Sequence, residues 1–154
     1  MASQGLLHAM PGLWIALAIS FFWMGLVSAI SFMEAWLKFR APGVTRAIGL
    51  SIGKRVFTAL NKLEWICLLI LAVGIILLPD KLALINAICF ALSALILLVQ
   101  TIFWLPTLKK QADILIEGKA YTGKSVHVPY VIAEIIKVLA LFVGALLLGF
   151  QHFS

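Results

Sequence analysis

An all-α integral membrane four-helix bundle, with interfacial helical segments in its cytoplasmic loops, is the fold class this sequence predicts. Three observations carry that reading. Of 154 residues, 64% are hydrophobic and only 12% are charged, against roughly 45–50% and about 25% in a soluble domain. The apolar residues fall into four long runs, each above the ~20 residues that cross ~30 Å of hydrocarbon. Most Lys and Arg residues sit in two connections between those runs. A chain this short has no core large enough to hide so much apolar surface from water. A disordered segment, a disulfide scaffold and a free-standing soluble enzyme are excluded together. The length favours a single domain over residues 1–154.

The spans are expected at about residues 12–37, 56–78, 82–105 and 128–150. All four must be helices, because an open strand in lipid leaves backbone polar groups unpaired. The first run follows Pro11, a residue suited to the first helical position. No Lys or Arg precedes it, and it is too long for the apolar part of a signal peptide, so it reads as a retained span. The second stops at Pro79-Asp80, the third at Pro106, and the fourth carries Pro129 in its first turn.

Both long connections hold more helix. After the Pro42-Gly43 break, Ile48, Ile52 and Val56 recur every four residues, which describes an amphipathic segment leading into span two. Leu108, Ala112, Leu115 and Ile116 form a similar stripe that Gly118 terminates. The first connection holds Lys38, Arg40, Arg46, Lys54 and Arg55 without an acid. The third holds Lys109, Lys110, Lys119 and Lys124 against Asp113 and Glu117. The positive-inside rule then puts both loops in the cytoplasm and both termini outside, and the compact loops suit a bacterial inner membrane. The net charge of +6 thus reads as orientation and contact with anionic headgroups, with neither nucleic acid nor nucleotide as a partner.

Ionisable groups inside spans are expensive, so each is a site candidate. Glu34, Asn61, Glu64, Gln100, Tyr130, Glu134 and Lys137 all fall in the cytoplasmic half under this topology, while the outer half offers little beyond Asn86. Asn61 and Glu64 share a helix face, and His127, Tyr130, Glu134 and Lys137 form one stripe down span four. The functional expectation is a ligand- or proton-binding pocket lined by those seven residues, its carboxylates exchanging protons in a low-dielectric setting. The structural alternative is an interhelical polar layer that only locks the bundle.

Cofactor chemistry is left open. No Glu-x-x-His pair of a di-metal bundle occurs. If a metal binds, Glu34, Glu64, His127 and Glu134 are its expected ligands. No span has a central histidine for haem, since His8 and His152 lie in the tails and His127 at an edge. Cys67 and Cys89 form no CxxC pair and read as packing residues. Residues Gly118 to Ser125 match the phosphate-loop pattern GxxxxGK[ST], but a helix rather than a strand is expected before them, so the reading is a solvated turn, with Lys119 and Lys124 resting on lipid phosphates as the alternative. The small-residue pairs Gly25/Ala29, Ala140/Gly144 and Ala145/Gly149 suggest close helix contacts, within the bundle or between protomers.

The stretch from Ser31 to Val44, followed by Gly49 to Phe57 and Asn61 to Glu64, resembles small bacterial four-span membrane proteins of unknown function. That likeness covers about a third of the chain and implies no activity. Around Trp23-Met-Gly25 the first span also looks like the four-span protoporphyrinogen oxidase family. The early span-one histidine of that family is absent here, where the residues around Ala16 are apolar, so neither haem nor porphyrin chemistry is carried over.

Three function classes are consistent with these features. The first is a small ligand-binding or transport protein centred on Glu64 and Glu134, with Asn61, Gln100 and Tyr130 as polar partners. The second is an accessory subunit of a larger membrane complex or homo-oligomer. The third is an intramembrane enzyme, metal-dependent or not, acting on a lipid or quinone-like molecule from the bilayer.

Overall fold

The structure, a computed structural model, describes residues 11–153. His8 therefore lies outside the described residues. Four helical rods make the bundle: α1 Pro11–Arg40, α2 Arg46–Ile76, α3 Leu84–Ile116 and α4 His127–Phe153. No strand occurs among the described residues. The chain runs up, down, up, down. α1 packs on α2 and α4, α3 packs on α4, and α2 meets chiefly the Leu105–Ile116 part of α3. The molecule thus has a basic end, carrying the two long connections, and an opposite end carrying the 77–83 link.

Each rod has an 18-residue window of mean hydropathy 2.0 to 2.5, yet at most 44% of any window is buried inside the bundle. Phe22, Leu69, Ile76, Leu84, Phe103 and Phe150 point outward. An apolar exterior over four rods of this length requires hydrocarbon as solvent. The protein is a multi-pass membrane protein.

The helix boundaries have local causes. α1 passes through a π-helical stretch, Ser28–Glu34, where the Ala35 N–H reaches back to the Ile30 carbonyl. It stops because Ala41 precedes Pro42 and is extended, with φ −70° and ψ 133°. Pro42 and Gly43 then occupy the middle of a type II turn, closed by the Val44 N–H on the Ala41 carbonyl at 3.2 Å, with Gly43 at φ 79°. The Thr45 hydroxyl caps α2 by accepting from the Ile48 N–H at 3.3 Å.

Two expected boundaries are corrected. The amphipathic segment from Val44 and the span from Val56 are one unbroken helix, because nothing between Arg46 and Ile76 breaks the ladder. The third helix does not stop at Pro106. A π-helical stretch, Gln100–Trp104, shifts the hydrogen-bond register immediately before it, and the Leu105 N–H bonds the Gln100 carbonyl. Pro106 then falls in the first turn of the restarted α register, where its missing N–H leaves no gap. The Thr107 hydroxyl donates to the Phe103 carbonyl at 2.7 Å. α3 ends as the sequence predicts: Gly118 at φ 74° closes a Schellman motif, with Lys119 N–H to the Ile114 carbonyl at 3.1 Å and Gly118 N–H to the Leu115 carbonyl at 3.2 Å.

The small-residue pairs divide. Gly144 lies against Phe90 and Cys89 of α3, and Ala140 and Ala145 are buried beside it on α4. Gly25 faces open space with nothing within 4 Å of its side-chain direction, and Ala29 is exposed. The tightest backbone approach falls outside the expected pairs. A Cβ on Gly12 of α1 would come 2.5 Å from the Leu77 carbonyl carbon, and one on Gly74 of α2 would come 2.8 Å from the Ala16 nitrogen, so the backbones of α1 and α2 touch there.

Candidate functional site

The buried apolar core, which includes Leu13, Leu60, Leu71, Leu97, Leu141 and Leu148, is interrupted at mid-height by a charged cluster. Lys137 of α4 is its centre and is fully buried. Its ammonium donates to Gln100 Oε1 of α3 at 2.8 Å, lies 3.0 Å from Glu134 Oε2 one turn earlier, and contacts Glu64 Oε1 of α2. Three acceptors thus surround a group with three donors. Glu64, Gln100 and Glu134 are fully buried too. The Trp23 indole N–H of α1 donates to the same Glu64 Oε1 at 3.0 Å. All four helices therefore meet at one point. α2 and α4 stand on opposite corners of the bundle, and the Glu64–Lys137 ion pair joins them through its axis.

The cluster keeps unused polar capacity. Glu64 Oε2, Glu134 Oε1, Gln100 Nε2 and the Tyr130 hydroxyl are buried without a close hydrogen-bond partner among the described residues. Atoms of this kind are few in a folded core. The charges are also unequal, with one ammonium against two carboxyl groups.

Tyr130 sits one turn from Glu134, on the side of the basic end. Its ring meets Phe57 edge-on at 5.7 Å and Trp104 at 6.4 Å. Beyond this aromatic layer, at the basic end, is a cavity of about 470 Å³. Phe57 lines it, together with Leu50, Leu108, Arg46, Lys109 and His127. Glu64, Gln100, Glu134 and Lys137 do not. Toward the opposite end the buried polar groups are Ser20, Ser93 and Asn86. Both serines donate to carbonyls of their own helix, Ser20 to Ala16 at 2.7 Å and Ser93 to Cys89 at 3.1 Å.

No protein family, curated protein or solved structure matches this chain.

The residues singled out from sequence fall into four places. Glu64, Gln100, Glu134 and Lys137 gather in the cluster, with Tyr130 at its edge. Asn61 is buried one turn away but turns to Thr101, whose hydroxyl accepts from the Asn61 amide at 2.9 Å and from the Trp65 indole at 3.0 Å, and donates to the Leu97 carbonyl at 2.8 Å. Glu34 is not in the cluster. It pairs with Lys38 at 3.1 Å, because α1 continues to Arg40 and puts the two one turn apart on the same face. His127 is exposed at the cavity.

Among the described residues no three His, Cys, Asp or Glu side chains converge in metal-binding geometry. The contingent metal ligands Glu34, Glu64, His127 and Glu134 do not converge: Lys137 occupies the space between Glu64 and Glu134, Lys38 takes Glu34, and His127 lies at the cavity. The phosphate-loop match comes after α3, a helix, and Gly118 within it closes that helix.

Sequence reasoning left Trp23 and Thr101 out of the site. Trp23 had a usable signal, since it is the mid-span one of the three tryptophans, Trp14, Trp23 and Trp36, on a span with few other polar groups. Thr101 had none, because its role depends on how α2 and α3 are turned toward each other.

Proposed function

We propose that the protein is a small multi-span membrane protein that binds protons at the Glu64–Lys137–Glu134 cluster, reached from the basic end past Tyr130, and couples them to a small ligand. The observation that carries this reading is the charge count in a sealed, low-dielectric site. Two carboxyl groups face one ammonium, so one further positive charge completes neutrality. A proton is the cation that needs no coordination shell. Tyr130 stands between the cluster and the cavity, its ring against Phe57 of the cavity wall, and that is the direction from which such a charge would enter. The opposite half buries no Asp, Glu, Lys or Arg among the described residues: its serines are bonded to their own helices, and Asn86 is its buried amide. By the loop charges, the basic end is the cytoplasmic one of an inner membrane.

A structural lock is the second reading, favoured by the way the cluster ties all four helices while being fully buried. The test is proton uptake into proteoliposomes driven by a valinomycin–potassium potential and followed with an internal pH dye. Uptake above protein-free liposomes, lost in Glu134→Gln and Glu64→Gln proteins that still reconstitute as folded chains, is the expected result. Wild-type liposomes no leakier than empty ones, together with variants that lose thermal stability, would leave the cluster as a lock and overturn the proton reading.

A further inference from the structure

The cavity at the basic end is separate from the charged cluster, and its own chemistry is distinctive. Its wall is apolar, from Leu50 and Phe57 of α2 and Leu105, Leu108 and Leu115 of α3. Its cations are Lys38, Arg46, Lys54 and Lys109, and no carboxylate lines it. Two of these are already engaged: Lys38 pairs with Glu34, and Lys54 holds both oxygens of Asp113, at 2.6 and 2.7 Å. Arg46 and Lys109 have no ion-pair partner among the described residues. The volume of about 470 Å³ is that of a small-molecule site, which runs roughly 300–1,000 Å³.

The position adds a further constraint. The cavity lies where the spans leave hydrocarbon, beside Trp36, whose ring carries the Arg40 guanidinium at 4.4 Å, an interfacial pairing. Gly53 keeps its inner wall thin: a Cβ there would come 2.8 Å from the Lys38 ammonium, which lies across the glycine. A ligand that satisfied only the cations would leave the leucine wall wet. One that filled only the wall would leave two cations without counter-charge.

We infer that this cavity binds an anionic amphiphile of the phosphate-bearing membrane-lipid class, its headgroup drawn by the cavity's unpaired cations, Arg46 and Lys109, and its acyl chain laid along Leu50, Phe57 and Leu108. The inference stands whether the buried cluster carries protons or not. Arg supplies forked donors to phosphate and Lys a point charge. The ligand arrives from the bilayer that surrounds the rods, not from water.

The experiment uses the full chain in dodecyl maltoside, titrated with dioleoyl phosphatidylglycerol or dioleoyl phosphatidylcholine and read by native mass spectrometry. One phosphatidylglycerol per chain, retained in preference to phosphatidylcholine, is expected. The Arg46→Gln/Lys109→Gln pair should weaken retention about tenfold or more, since each juxtamembrane cation adds to the hold on an anionic headgroup. Leu108→Trp, which fills the cavity and spares the cations, should weaken it comparably. It decides the question if the charge variant does not fold. Lys119→Gln/Lys124→Gln removes the same charge from the same end outside the cavity and should retain the lipid as wild type does. Equal retention of the two lipids, or equal loss in the Lys119/Lys124 pair, would reduce the site to diffuse surface charge and overturn the inference. Displacement of phosphatidylglycerol by equimolar inorganic phosphate would also overturn it, by making the ligand a free anion.

Discussion

Lys137 shows what a buried charge asks of its neighbours. Removing it alone, as in Lys137→Met, leaves two carboxyl groups without their counter-charge, and breaking a buried pair costs about 3–5 kcal/mol. The expected result is a large drop in melting temperature in detergent. Replacing all three partners at once (Glu64→Leu, Glu134→Leu, Lys137→Leu) should restore a melting temperature near wild type, since well-packed apolar groups often match a buried ion pair. If the proton reading holds, that stable triple variant is inactive in the liposome assay, which separates stability from function. Trp23→Phe keeps the ring and removes the 3.0 Å donor to Glu64. It should cost about 1.5–3 kcal/mol, the worth of a hydrogen bond to a charged group, with Lys137 still on the same oxygen. A Trp23→Phe protein that melted like wild type would show the indole contact to be incidental.

At the scale of the element, the helices carry information that propensity does not. The π-helical stretches in α1 and α3 each rotate the helical turns beyond them. In α3 the register shift accommodates Pro106 and leaves Gln100 facing inward at Lys137. The α1–α2 crossing depends on Gly74, where a side chain would meet the Ala16 backbone. Gly74→Val should destabilise by about 1–3 kcal/mol through forced separation of the helices. Gly25→Ala meets nothing within 4 Å; it should leave the melting temperature unchanged or slightly higher, Ala being the better helix former by up to about 1 kcal/mol. A melting experiment that reversed these two outcomes would contradict the packing. The Lys54–Asp113 pair that ties α2 to α3 is substantially exposed, with side chains at 35% and 50%. Asp113→Asn should therefore shift stability by less than about 1 kcal/mol.

For the whole molecule, the loop charges make a prediction about orientation. With Lys and Arg concentrated at the basic end, a reporter fused after residue 154 should behave as extracytoplasmic: alkaline phosphatase active, green fluorescent protein dark. Active fluorescence would invert the bundle, and with it the side from which the cavity is reached. The asymmetry of the interior runs along the same axis. Charged groups occupy the middle and the basic end, and the rest of the core is apolar apart from Asn86 and serines bonded to their own helices.

Much of this was legible one residue at a time. Four runs too long and too apolar for water have one solution in a bilayer, and the lone charges within them had to turn inward. So the existence of four helices, and the gathering of Glu64, Gln100, Glu134 and Lys137 at a common depth, come from hydropathy and rise per residue. The sequence alone did not determine rotation. Whether Asn61 turns to Glu64 or Thr101, whether Glu34 reaches the axis, and which glycine meets a neighbour all depend on helix azimuth. That is set by side chains from several rods packing at once and by π turns whose register no local pattern announces. The cavity belongs to the same class, since its wall and its cations come from segments far apart in the chain. Only the packed bundle brings Arg46 and Lys109 to one apolar hollow.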